Sequence, residues 1–194
     1  PVFKNAYFSQ KDLLKERMRN IINIFYLKFS TNIRNAVRDA AAILVADQST
    51  ESIMPNTRRY IRLLETGYNL DRNGTKKYDV SYEHSPLDHP INLLWVGGIW
   101  PRKGLKILLD ALNESEFYDY KLKIVGEGED KNKCEKLVKQ YGLEDKIVFL
   151  GKLSYEMVNS LYDDADVFLF TSLRDTSGNV VLEAMSHGLP VICI

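Results

Sequence analysis

Along the second half of the chain, apolar and polar positions alternate between two rhythms. Short, nearly unbroken apolar runs at INLLWV (91–96), KLKIV (121–125), KIVFL (146–150), DVFLF (166–170) and LPVICI (189–194) predict strands. The stretches between them, near 103–112, 130–141, 154–163 and 179–187, carry apolar residues at helical spacing; Cys134, Leu137, Val138 and Tyr141, for example, fall on one stripe. Strand and helix taking turns imply βα units around a parallel sheet, a Rossmann-like α/β layout.

The first half follows a different pattern. Residues 10–29 predict one long helix with Leu13, Leu14, Met18, Ile21, Ile22 and Phe25 on one face. A short helix is expected over 31–39, then strands at AILVA (42–46) and YIRLLE (60–65). From Thr66 to Pro90 the chain is polar and carries Gly67, Gly74, Pro86 and Pro90, which marks an interdomain linker. The expected domains are therefore 1–85 and 86–194. Because the chain opens on Pro1 and stops at Ile194 inside an apolar run, it is expected to be an internal stretch of a longer protein.

Composition narrows the function classes. Lys and Arg number 26 and so do Asp and Glu, so no overall field draws the chain to nucleic acid. No apolar run is long enough to span a bilayer. The charge is uneven, however: between Pro1 and Arg38 eight basic residues face two acids, Asp12 and Glu16. A basic helix containing RNIINIFYLKF suits either an anionic membrane surface or packing against a further domain. Cys134 and Cys193, in a helical pattern and an apolar strand without metal-type spacing, are expected as reduced core residues of a cytoplasmic protein.

The candidate chemistry lies where loops should converge. In an open doubly wound sheet, ligands bind beyond the carboxyl ends of the strands, where strand order reverses. The usual order makes GGIWPRKG (97–104) and TSLRDTSG (171–178) the two loops flanking that crevice. A helix starting near Asn179 offers unpaired N–H groups and about half a positive charge to a phosphate, Gly178 permits close backbone approach, and Lys103 adds a full charge. Glu183 lies about five residues into that helix, roughly 7 Å along its axis, where it suits ribose hydroxyls; its neighbours Val180, Val181, Leu182 and Met185 predict a mostly buried helix. Asp175, on the other side of the phosphates, can accept from sugar hydroxyls. Two acids straddling a phosphate site suit a nucleotide sugar.

These segments are similar to a known family. LLWVGGIWPRKGLKILLDAL, LKIVGEGED, VFLGKLSYEMVNSLYDDADVFLFTS and DTSGNVVLEAMSHGLPVI cover nearly all of 91–194 in its order and at its spacing. They resemble the retaining glycosyltransferases of the GT-B fold, the group that includes sucrose synthase and many bacterial polysaccharide enzymes (family 4). RDAAAILVADQST and RLLETGYNLDRN resemble the end of that family's N-terminal domain more loosely. The resemblance implies a donor-binding C-terminal domain, cut short, preceded by the end of a second Rossmann-like domain. It implies Lys103 on the donor diphosphate, Glu183 on the ribose, and the backbone of Thr176, Ser177, Gly178, Asn179 and Val180 on phosphate and sugar. Lys103 and Asp175 would be the catalytic pair, and Gly126, Gly128, Gly151 and Lys152 would lie in further donor-side loops.

Two departures from the family stand out. Asp175 shortens a position that is usually Glu, and Gly98 stands where an Arg usually neutralises the leaving diphosphate; Arg102 or Arg174 would have to substitute. The implied reaction moves a sugar from a nucleotide-diphosphate donor to a saccharide or lipid-linked acceptor hydroxyl, with retention and with neither metal nor cofactor. The alternatives are a nucleotide-sugar epimerase of the same architecture and a non-catalytic nucleotide-sugar-binding module. Most of the acceptor side lies outside this sequence, so the chain alone is expected to bind donor without turning it over.

Other motifs read as structural. Asp164-Ala165-Asp166 has a metal-binding D-x-D form but precedes its strand, so it is expected to be punctuation between helix and strand. GEGED (126–130) starts like a dinucleotide fingerprint but has Lys131 in place of the third Gly, and its acids would repel a pyrophosphate. His187 is expected to end its helix, and His84 and His89 to lie in the linker.

Overall fold

The computed structural model describes residues 10–46, 48–53, 60–63, 90–116, 119–173, 175 and 178–193. The chain divides into two compact units, Pro1–Gly67 and Tyr68–Ile194. The boundary expected after residue 85 and nearly all of the expected linker lie outside the described residues, as do His84 and His89.

In the first unit, α1 (Gln10–Phe29) is followed at once by α2 (Thr31–Asp39). Ser30 separates them by capping α2, its hydroxyl accepting from the backbone N–H of Ile33. Strands β1 (Ile43–Val45) and β2 (Tyr60–Arg62) pair in parallel, with α3 (Gln48–Ile53) between them in the chain. The apolar face expected on α1 is present but uncovered: Leu14, Met18, Ile21, Ile22 and Phe25 are all exposed.

The second unit contains one parallel sheet. Its strands β3 (Ile91–Val96), β4 (Tyr120–Val125), β5 (Ile147–Gly151), β6 (Val167–Phe170) and β7 (Val191–Cys193) lie in the order β5-β4-β3-β6-β7. Helices α4 (Leu105–Glu114), α5 (Lys131–Gln140), α6 (Tyr155–Asp164) and α7 (Asn179–Ser186) connect them. Side chains alternate across β3. Leu93 and Trp95 join a core with Leu105, Leu108 and Leu109 of α4 and Cys134 and Val138 of α5. Leu94 joins a second core with Val158 and Tyr162 of α6, Phe168 of β6 and Ala184 of α7. A sheet covered on both faces explains why its strands read as unbroken apolar runs.

Asp166 punctuates as expected. Its carboxylate accepts from the N–H of Asn92 at 2.8 Å, while its own N–H donates to the Asn92 carbonyl at 2.9 Å. Two expectations need correction. Cys193 is exposed and does not join the core of the described residues, where β7 pairs with β6, whereas Cys134 is buried. α7 is also less buried than its apolar sequence implies: Ala184 is enclosed, but Leu182 and Met185 are exposed.

Candidate active site

The sheet reverses its winding between β3 and β6, which lie side by side with Leu93 opposite Val167 and Leu94 opposite Phe168. The loops leaving their carboxyl ends are joined by hydrogen bonds. The Trp95 indole N–H donates to Thr171 Oγ1 at 3.1 Å, and that hydroxyl donates to the Lys103 carbonyl at 2.9 Å. The N–H of Leu173 donates to the Arg102 carbonyl at 2.9 Å. Pro101 opens a 3₁₀ turn over Pro101–Lys103 and Gly104 ends it in the left-handed region at φ 68°. A Cβ on Gly104 would fall 2.1 Å from the Thr171 carbonyl oxygen, so the two loops approach as closely as backbones can.

This frame brings Lys103 onto Asp175, 72 positions away in sequence. Lys103 Nζ donates to Asp175 Oδ2, and both side chains are largely shielded, at 17% and 23% exposure. Beside them α7 begins at Asn179. Its N-cap is Gly178, φ 58°, which supplies no side-chain cap to the first N–H groups of the helix. Asn179 is exposed, while Val180 and Glu183 are half-buried. One carboxylate oxygen of Glu183, Oε2, accepts from the Tyr162 hydroxyl at 3.0 Å.

The other candidate residues line neighbouring loops. A Cβ on Gly126 or Gly128 would fall 1.8 Å or 2.2 Å from the carbonyl oxygens of Gly97 and Ile99, so the loops after β3 and β4 are in backbone contact. Gly151 ends β5 and accepts from the N–H of Gly126 at 2.8 Å; Lys152 after it is exposed. The acids of GEGED are partly compensated, Glu127 by Lys131 and Asp130 by Lys133. At Gly98 a Cβ would meet the Trp100 indole nitrogen at 2.4 Å, so Trp100 occupies the space a longer residue would need. Arg102 contributes its carbonyl to the loop junction. Arg174, Thr176 and Ser177 lie outside the described residues.

Comparison with known proteins now decides the family. The model of glycosyl transferases group 1 matches residues 83–194, more than half of the chain. The chain belongs to the group 1 glycosyl transferases. An uncharacterized glycosyltransferase of Methanocaldococcus jannaschii is 37% identical over 101 residues, 52% of this chain and 26% of that protein. The solved apo structure of the lipopolysaccharide outer core galactosyltransferase WaaB is 30% identical, with a TM-score of 0.51 over 55% of this chain and 30% of that one. HepE of Anabaena, solved in complex with UDP, is 21% identical, with a TM-score of 0.68 over 88% of this chain and 48% of that one; that likeness bears on the fold. The α/β architecture is of the GT-B kind. The chain spans about a quarter of the length of the first curated relatives it matches, 26% and 27%.

Within this group 1 glycosyl transferase, the arrangement has a clear chemical capacity. A lysine and an uncapped helix N-terminus together favour an anion, and the carboxylates of Asp175 and Glu183 favour hydroxyl donors. Sequence reasoning missed four members of the site. Trp95 and Thr171 tie the loops together, Trp100 fills the space over Gly98, and Tyr162 holds Glu183. Tyr162 alone had left a signal: it falls on the apolar stripe of α6, and a phenol buried there requires a partner for its hydroxyl.

Proposed function

We propose that this chain is the donor half of a retaining glycosyltransferase, which moves a sugar from a nucleotide-diphosphate sugar to an acceptor hydroxyl during polysaccharide or glycolipid synthesis. The observation that carries the reading is Lys103 held against Asp175 beside the uncapped start of α7, with Glu183 further along the same helix. In this reading the diphosphate lies over the N-terminus of α7 and draws Lys103 into a pairing shared with Asp175. Glu183 takes the ribose hydroxyls, and Asp175 takes a hydroxyl of the transferred sugar. When the bond from the anomeric carbon to the diphosphate breaks, charge grows on the departing oxygens, where Lys103 and the helix N–H groups stabilise it without any rearrangement of solvent. The acceptor oxygen bonds to the same face of the anomeric carbon while its proton passes to the departing phosphate oxygen, so configuration is retained, and no metal or covalent nucleophile is required. WaaB, named for galactosyl transfer in lipopolysaccharide outer core, supports an acceptor of saccharide or lipid-linked type.

We also propose a cytoplasmic location with peripheral membrane contact through α1. No helix among the described residues is long and apolar enough to cross a membrane. The exposed apolar residues of α1 share the helix with Lys11, Lys15, Arg17, Arg19 and Lys28, which suits an anionic bilayer surface. Failure of the full-length protein to pellet with phosphatidylserine-containing vesicles at low salt overturns that contact.

A thermal-shift screen of nucleoside diphosphates and their sugars tests the donor site. At least one ligand should raise Tm; a ligand at a hundred times its Kd stabilises by about 2.7 kcal/mol. Lys103→Ala should abolish the shift and Glu183→Gln should weaken it. Donor binding by the full-length protein with no product from any acceptor would overturn the transferase reading, and release of free nucleotide without acceptor would point to epimerisation.

A further inference from the structure

Tyr162 is 0% exposed, on the face of α6 turned into the second core. Its ring lies 5.6 Å from that of Phe168 and stacks on the imidazole of His187, 5.3 Å away at 27°. His187 is itself buried, contacts Asp163 Oδ1 through Nδ1 at 3.0 Å, and caps the end of α7 with its N–H. The ring is therefore enclosed in the second core, between Phe168 of β6 and His187 at the end of α7.

That hydroxyl donates to Glu183 Oε2 at 3.0 Å and lies 3.5 Å from the Val180 carbonyl. A phenol donating to a carboxylate is a charge-assisted bond and among the stronger kinds. It comes from the buried core and engages one oxygen of Glu183, Oε2, so the second oxygen, Oε1, is the one this bond leaves to a ligand. A long, flexible acid on a half-exposed helix would otherwise sample several rotamers and lose entropy when it bound a hydroxyl pair. We infer that Tyr162 is a positioning residue of the donor site, holding Glu183 in the rotamer that takes the ribose hydroxyls. The inference rests on the donor-site reading above and adds that ribose discrimination is set from the core, by a residue that touches no ligand.

The test uses the full-length protein and isothermal titration calorimetry. The probe is whichever of UDP, GDP, ADP and CDP gives the largest thermal shift, titrated beside its 2′,3′-dideoxy counterpart. Tyr162→Phe keeps the ring and its stacking and removes only the hydroxyl. It should weaken the ribonucleotide about five- to tenfold, the scale of one hydrogen bond to a charged group, and leave the dideoxy compound within twofold. Because both ligands are titrated into one preparation, the ratio of their affinities is independent of any loss of folded protein. In a Glu183→Ala background, Tyr162→Phe should change that ratio by less than twofold. Equal weakening of both ligands, or of neither, overturns the inference and leaves Tyr162 a packing residue. A wild-type protein that binds both compounds equally overturns the ribose role of Glu183, and this inference with it, while the donor site stands. A wild-type protein that binds no nucleoside diphosphate overturns both.

Discussion

Two helices with the same kind of apolar stripe meet opposite fates in this chain. On α5, Cys134 and Val138 are buried against the sheet. On α1, residues at equivalent helical spacing remain exposed, Phe25 and Ile21 at 63% and 62%. Both stripes specify a helix, because that depends only on the chain's own periodicity. Burial depends on a partner as well, and the second unit supplies one: a five-stranded sheet with helices on both faces. The first unit has a two-stranded pair, and among its described residues Val37 and Val45 are the buried apolar side chains. Periodicity thus reports which face is apolar; whether that face contributes stability is a separate fact.

The largest expected effect tests this contrast with one substitution at two places. Phe168→Ala empties a site that is 0% exposed and packed against Tyr162, and should cost about 3–5 kcal/mol. Phe25→Ala removes a ring that is mostly in water and touches Phe29, and should cost less than about 1 kcal/mol. Urea unfolding followed by the fluorescence of buried Trp95 and by circular dichroism measures both. If the two losses were equal, the α1 face would be a core surface and the contrast would fail.

The same distinction separates what the sequence discloses from what it conceals. β3, α1 and α2 read to the residue because each is a clear period bounded by a break, Ser30 between the two helices and Pro90 before the strand. α3 was not expected: QSTESI has a single apolar residue, so it carries no stripe. Cys193 and Met185 were misjudged because apolar identity does not reveal which strand or helix face has a neighbour to cover it among the described residues. The meeting of Lys103 with the 171–178 loop was legible, since alternating βα units and right-handed crossovers restrict the strand order to few choices. The bonds that fix that meeting were not legible. Trp95 to Thr171 spans 76 positions and Tyr162 to Glu183 spans 21, and each depends on register and side-chain direction that no local pattern encodes. The crowding of Trp100 over Gly98 is equally invisible from residue types alone.

A finer comparison sets two glycines against each other within the second unit. Gly104 and Gly142 have nearly the same left-handed φ, 68° and 67°, but a Cβ on Gly142 meets nothing within 4 Å. Gly142→Ala should therefore cost only the backbone penalty, about 1–2 kcal/mol. Gly104→Ala adds a clash with the Thr171 carbonyl that only separation of the two loops can relieve, for about 2–4 kcal/mol in all. The added cost should appear in donor binding as well, because the Lys103 carbonyl and the Thr171 hydroxyl belong to that junction. Urea titration and calorimetry on both variants give the two numbers. Donor affinity unchanged in Gly104→Ala would show that the loop junction does not set the position of Lys103.

The smallest expected effect asks whether the core that α1 lacks is closed to water in the second unit. Cys134 is 2% exposed, and burial, helped by the nearby Asp130, pushes its thiol from the ordinary 9.0 up to about 12. Below pH 9 the folded and unfolded chains both hold the proton, and the site's contribution is fully present. As pH rises from 9 towards 12 the unfolded chain ionises while the folded one does not, so the unfolded state binds fewer protons and stability falls. By pH 10 the loss relative to pH 8 should be about 1 kcal/mol. Tyrosines and lysines titrate in the same range, so the measured quantity is the difference in unfolding free energy between wild type and Cys134→Ala at the two pH values. Cys134→Ala should carry its own constant packing cost at pH 8, and the gap to wild type should narrow by that ~1 kcal/mol at pH 10. A gap that stays constant means water reaches Cys134 in the folded chain, and the stripes of α5 and α1 would then differ less than their exposures indicate.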